Sequence, residues 1–201
     1  MTDRATAAQI GGVALLERAM GYTLGNLNLV TPAALGRPTP CAGWDVRTLL
    51  VHMADSLDVL CDAADVGVVK AGPPPHEGAT AAELVSAVRD RACGLLAAWT
   101  GIASPATVSV YGRSLSSAIV AGAGALEVAV HGWDVARGCG QDRPVPPSLA
   151  EELGELAPLI VTRDDRPHRF GMPVAVAQDA SPNDRLMAFL GRNPATALLT
   201  A

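Results

Sequence analysis

Aromatic residues are scarce in this 201-residue chain, at 3% of the total. Yet 49% of its residues are hydrophobic, so Ala, Leu and Val must do most of the packing. Ala- and Leu-rich sequence favours helix. Strict strand-type alternation is also scarce, which argues against an all-β architecture. There is no basic block or stripe, and the net charge is −5 with acids and bases interspersed. Nucleic acid is therefore not an expected partner. No uninterrupted apolar run of about 18 residues exists, so no membrane span is expected. The N-terminal MTDRATAAQIGG lacks an apolar run behind a basic start and does not read as a secretory signal, which points to a cytoplasmic protein. The four cysteines, Cys41, Cys61, Cys93 and Cys139, form no Cys-x-x-Cys pair. They read as free thiols, and a cysteine-based zinc site is not expected.

Helical periodicity runs through most of the chain. Ile10, Val13, Leu16, Met20, Leu24 and Leu27 recur at steps of three and four, predicting a helix from about Arg4 to Val30 that closes at Thr31-Pro32. After a Pro- and Gly-rich loop, Asp45 is a good N-cap for a second helix running to about Val69. The run Ala71-Gly72-Pro73-Pro74-Pro75 breaks regular structure. Thr80, with Glu83 at the capping-box position, opens a third helix that reaches about Trp99. Residues 106–112 alternate weakly and suggest a short extended piece. A fourth helix is expected from about Leu115 to Arg137, stopping at Gly138. Past Pro144, a fifth helix covers Ser148 to about Ile160, a loop spans Asp164 to Asp179, and a last short helix runs from Asn183 to Leu190. The expected fold is all-α: a four-helix core over about 4–140, with a C-terminal extension over about 144–201 packed on one side, the whole forming one domain. Periodicity does not settle the topology.

The chemistry-bearing residues lie on the second and fourth helices. Glu127 and His131 are four apart and share one helix face, together with Val120 and Val135. A carboxylate on an apolar face is costly without a partner. Asp134 lies on the same side, three residues beyond His131, as a further ligand or as an acceptor behind the first. On the second helix His52 falls within the apolar arc. If the two helices are neighbours, two imidazoles and a carboxylate converge. That set suits Zn2+ with an open position, and equally non-haem Fe2+. The plainer alternatives remain open on spacing alone: a hydrogen-bonded core histidine, and a helix-stabilising Glu-x-x-x-His pair. His76 and His168 lie in expected loops and read as solvent-exposed.

Two blocks add to this. One is Thr39-Pro-Cys-Ala-Gly-Trp44-Asp45-Val-Arg-Thr-Leu-Leu-Val-His52. The other is Glu127-Val-Ala-Val-His131-Gly-Trp133-Asp134-Val-Ala-Arg137. Together they resemble the metal-binding domain of mycothiol-dependent maleylpyruvate isomerases, within the DinB-like superfamily of four-helix proteins. The C-terminal Asp184-Arg-Leu-Met-Ala-Phe-Leu-Gly191-Arg192-Asn-Pro194 is similar to the closing segment of an actinobacterial metal-binding subfamily of that group. The resemblance implies metal ligands at His52, Glu127 and His131, a divalent ion that is Zn2+ first with Fe2+ or Ni2+ as alternatives, mycothiol as cosubstrate, a small-molecule substrate and a homodimer. The isomerases carry a further C-terminal domain, which is not expected within these 201 residues.

Among neighbouring residues, Trp44 and Trp133 are expected to brace helix ends, and Cys41 to be a packed small residue rather than a nucleophile. Asp134 and Arg113 are the candidate catalytic side chains. Arg113 is expected in a loop before the fourth helix, where it and Tyr111 read as solvated rather than as contacts for an anionic substrate. Three functions fit: thiol-dependent isomerisation or transfer on a small electrophile, a cyclase or isomerase of secondary (polyketide-type) metabolism, and a non-catalytic metal-binding module whose fourth position Asp134 closes.

Overall fold

In the computed structural model, residues 2–66, 78–100, 107–110 and 113–196 are described. Four long helices form the core: α1 (Thr2–Asn26), α2 (Val46–Val66), α3 (Ala81–Thr100) and α4 (Ser117–Gly138). Two short helices follow, α5 (Pro147–Ile160) and α6 (Pro182–Phe189). The all-α bundle expected from periodicity is what the structure shows.

Local chemistry starts and stops these elements. Asp45 accepts a hydrogen bond from the Thr48 backbone N–H at 2.8 Å and opens α2. The Thr80/Glu83 box is reciprocal: the Thr80 N–H donates to the Glu83 carboxylate at 2.7 Å, and the Glu83 N–H donates to the Thr80 hydroxyl at 3.3 Å. Such a box satisfies two of the N–H groups that a helix start leaves without partners.

The extended piece is larger than its sequence suggests. Strand β1 (Thr107–Val110) pairs antiparallel with β2 (Arg113–Ser116), with Val108 opposite Leu115. The fourth helix therefore starts at Ser117 rather than Leu115, capped by the Ser116 hydroxyl, which accepts from the Ile119 N–H. Arg113 lies in a strand opposite Val110, not in a loop. The short, polar Arg-Ser-Leu-Ser run carries too little alternation to announce itself as a strand. Tyr111 and His76 lie outside the described residues.

Side-chain contacts fix the helix directions. Thr23 Oγ1 donates to the Val128 carbonyl and Asn26 Nδ2 to the Gly132 carbonyl, while Gly12 abuts Ala118, so α1 and α4 run parallel. Leu60 packs on Gly124 and Val46 on Gly138, so α2 runs against α4. Arg47 bonds the Ala79 carbonyl just before α3, and Arg91 pairs with Asp58, so α2 and α3 run parallel. Around the bundle the order is α1, α4, α2, α3, with α1 and α4 pointing one way and α2 and α3 the other.

Helix α4 is the central element. By length and composition it could cross a membrane, with a mean hydropathy of 1.2 over its most apolar window, but 78% of that window is buried inside the bundle. Its glycines admit close neighbours. A Cβ on Gly132 would lie 2.3 Å from Thr23 Oγ1, so only glycine lets α1 come this near. The extension packs on the bundle through α5, which contacts α4 and α1. Leu149, Ala150, Leu153 and Ala157 of α5 and Leu186 and Met187 of α6 are buried.

Candidate metal centre

The side-chain cluster sits between the first half of α2 and the second half of α4. His52 and Glu127 meet across the helix interface, with Nε2 to Oε1 at 2.7 Å. His131 presents its own Nε2 to the same oxygen at 3.3 Å. The three ligand-type atoms lie within 4.8 Å of one another, and among the described residues no fourth His, Cys, Asp or Glu joins them. The cluster is graded in depth. The side chain of His131 is 7% exposed, while Glu127 and His52 are 30% and 36% exposed. His52 is thus at the rim rather than facing the core, and one side of the cluster opens toward solvent.

Asp134 is not part of this set. Its carboxylate is wholly buried and accepts from His131 Nδ1 at 3.0 Å. That bond directs the other nitrogen, Nε2, at Glu127. Asp134 in turn is gripped by Arg192, with Nη2 donating to Oδ2 at 2.8 Å and Nε to Oδ1 at 3.3 Å. Burial alone would push the Asp134 carboxyl up, but the Arg192 guanidinium and His131 hold it below its usual range.

Glu127 obeys the same balance: burial opposes its charge, and the two histidines overcome that and keep it well below the ordinary glutamate value. Burial likewise disfavours a charged His131, yet Glu127 and Asp134 raise its pKa to about 9. Ser56, one helical turn beyond His52, donates its hydroxyl to Glu127 Oε1 at 3.1 Å.

Trp44 does more than brace a helix end. Its ring centroid lies 4.6 Å from that of His52 in an edge arrangement and 6.0 Å from that of His131, nearly parallel to it. The indole forms an aromatic wall along both imidazoles. Trp133 does brace: it is buried in the core with Arg137 over its ring at 5.4 Å. Burial pushes the Cys41 thiol up to about 11, so at neutral pH it is a protonated thiol, not an activated nucleophile. His168 is exposed.

The sequence reading did not single out Ser56 or Arg192. Ser56 had a signal, the spacing of four from His52. Arg192 stood within the C-terminal block that resembles a metal-binding subfamily, but nothing in its local sequence tied it to Asp134, which lies 58 positions away.

Residues 16–136, which hold the whole His-Glu-His cluster, match the family model for the mycothiol maleylpyruvate isomerase N-terminal domain. The chain belongs to that family. Two uncharacterized proteins of Mycobacterium tuberculosis, from strains CDC 1551 and H37Rv, are each 30% identical to it over 164 residues, covering 79% of this chain and 85% of the relative. A crystal structure of a histidine-to-alanine mutant of the mycothiol-dependent maleylpyruvate isomerase superposes with a TM-score of 0.55 at 18% identity, over 73% of this chain and 68% of the other. At that identity the likeness is one of fold. The matched residues run from the second half of α1 to nearly the end of α4, and Arg192 lies beyond them.

Proposed function

We propose that this protein is a metal-dependent enzyme that uses a low-molecular-weight thiol, mycothiol where the host makes it, to isomerise or modify a small electrophilic substrate. The observation that carries the reading is the His131 hydrogen bond to buried Asp134. It commits Nδ1 to Asp134 and leaves Nε2 to join His52 and Glu127 in a donor set of two imidazoles and one carboxylate. That set fits a divalent cation. It matches the three-ligand pattern of catalytic zinc sites, and it is open to Fe2+ or Ni2+ as well. A carboxylate behind a ligating histidine is the usual arrangement at such sites.

His52, Glu127 and His131 would hold the ion. When bound, it supplies Lewis acidity and lowers the pKa of a thiol or water brought to it. The protein's own groups do the remainder. Ser56 steadies Glu127, Asp134 orients His131, and Trp44 presents a flat apolar wall beside the two imidazoles. The exposed flank of His52 and Glu127 gives small molecules an approach. Because Asp134 is turned toward Arg192, it does not close a fourth position, which favours an enzyme over a purely structural metal module.

The test is metal analysis of the purified protein, followed by thiol consumption with maleylpyruvate-like electrophiles. His52→Ala and Glu127→Gln are expected to lose the metal and at least about 100-fold of the activity, since each removes a direct ligand. Equal turnover by wild type and His52→Ala would remove the metal from the mechanism.

A further inference from the structure

The C-terminal extension reaches into this site through one side chain. Arg192 follows α6, where Gly191 adopts φ +83° and turns the chain inward. Gly191 is also pressed against Gly171: a Cβ there would lie 2.5 Å from the Gly171 backbone. Glycine is thus required twice over, for its positive φ and for the contact. The Arg192 N–H then bonds the Met187 carbonyl at 2.9 Å, and its Nη1 bonds the Leu190 carbonyl at 3.2 Å. Held at its base in this way, the guanidinium sends Nε and Nη2 as a fork onto the two oxygens of Asp134. Both side chains are buried, 7% exposed for Arg192 and 0% for Asp134.

We propose that Arg192 is a positioning residue of the metal centre, acting through Asp134 to fix the ring orientation of His131. Oδ2 of Asp134 takes both the shorter Arg192 bond and the His131 Nδ1–H bond, so the arginine sets the place of the oxygen that aims the imidazole. A carboxylate with one bond to a single imidazole has rotamer freedom, whereas one clamped by a planar fork does not. The extension therefore completes a site whose three donor residues all lie in the bundle. This inference rests on the metal reading above, and the experiment separates the two.

The experiment takes the full chain with Arg192→Met, Arg192→Lys and Asp134→Asn, and reads two quantities. The first is Co2+ affinity by chelator competition, with the Co2+ absorption spectrum as a report on ligand geometry. The second is the downfield ring N–H signal of His131 in proton–nitrogen NMR, assigned by its loss in His131→Gln. Arg192→Met is expected to weaken Co2+ binding about 10-fold or more, to alter the spectrum and to broaden the ring signal. Arg192→Lys, which keeps the charge without the fork, should recover only part of both. Asp134→Asn should lose as much as Arg192→Met. A lower melting temperature for Arg192→Met with unchanged affinity and ring signal would make Arg192 a mere anchor for the tail, and would overturn the proposal. If Arg192→Met does not fold, the nearly isosteric Asp134→Asn decides, since unchanged readouts there break the chain of contacts. Should the wild type itself bind no Co2+, the metal reading falls and the His131 ring signal alone decides the role of Arg192.

Discussion

Two carboxylates flank His131, Glu127 at its Nε2 and Asp134 at its Nδ1. With both in place, and despite burial, the imidazole of the metal-free protein is held protonated, with its pKa raised to about 9. The folded value lies above the ordinary histidine value of about 6.5, so the stability it confers is complete below about pH 6.5. It is lost as pH rises through about 9. In chelator, the urea midpoint of the protein should fall between pH 6 and pH 9.5. His131→Gln should show a smaller fall over the same interval, and parallel curves for the two would show that His131 does not bind the extra proton. Under the metal reading a cation displaces that proton, so calorimetric titration with Zn2+ in two buffers of different ionisation heat should report net proton release near neutral pH. His52, Glu127 and His131 were legible in the sequence as types and spacings. Their depth was not: helical periodicity assigns a side of the helix, and the exposure of His52 depends on neighbours distant in sequence.

At the scale of elements, the caps were readable because they are local. Asp45 and the Thr80/Glu83 box act within four residues of sequence, and the structure has them where the residues predict. The second strand of the hairpin was not readable, because its stability comes from pairing with β1 and from its place beside α4 rather than from its own pattern. The α1–α4 contact was equally hidden, since nothing in Gly132 itself announces Thr23. Gly132→Ala would force a methyl group toward Thr23 Oγ1 and disturb its bond to the Val128 carbonyl. A loss of about 1–3 kcal/mol in chemical denaturation is expected from such overpacking. Docking of α5 offers a contrast between charge and packing. Arg18 and Glu152 are joined by two hydrogen bonds but stay 43% and 50% exposed. Arg18→Ala should therefore cost less than about 1 kcal/mol. Leu153→Ala, at a fully buried position, should cost about 2–5 kcal/mol. A larger effect at Arg18 than at Leu153 would mean that α5 is held mainly by its ion pair.

At the scale of the molecule, the opposed directions of α1/α4 and α2/α3 could not be read from periodicity, which gives each helix a buried face but no orientation. The contacts that set direction lie far apart in sequence, 105 residues for Thr23 and Val128 and 106 for Asn26 and Gly132. A groove of about 430 Å³ among the described residues runs between the end of α1 and the start of α3 beside Leu27, Val85 and Arg89. None of the residues lining it belongs to the His-Glu-His cluster, so this groove and the candidate metal centre are separate places on the bundle. What joins the distant parts is the line His131, Asp134, Arg192, which ties α4 to the segment after α6. A ligand that binds only the folded site stabilises the whole cooperative unit, by about 2.7 kcal/mol at one hundred times its dissociation constant. If the extension belongs to that unit, Zn2+ should slow amide hydrogen exchange in α6 and at Arg192 by nearly the factor seen in α2 and α4. In Asp134→Asn the slowing in α6 should shrink while that in α2 persists. Protection confined to α2 and α4 in the wild type would instead mark the extension as a separately opening unit, packed on the bundle yet energetically detached from the metal centre.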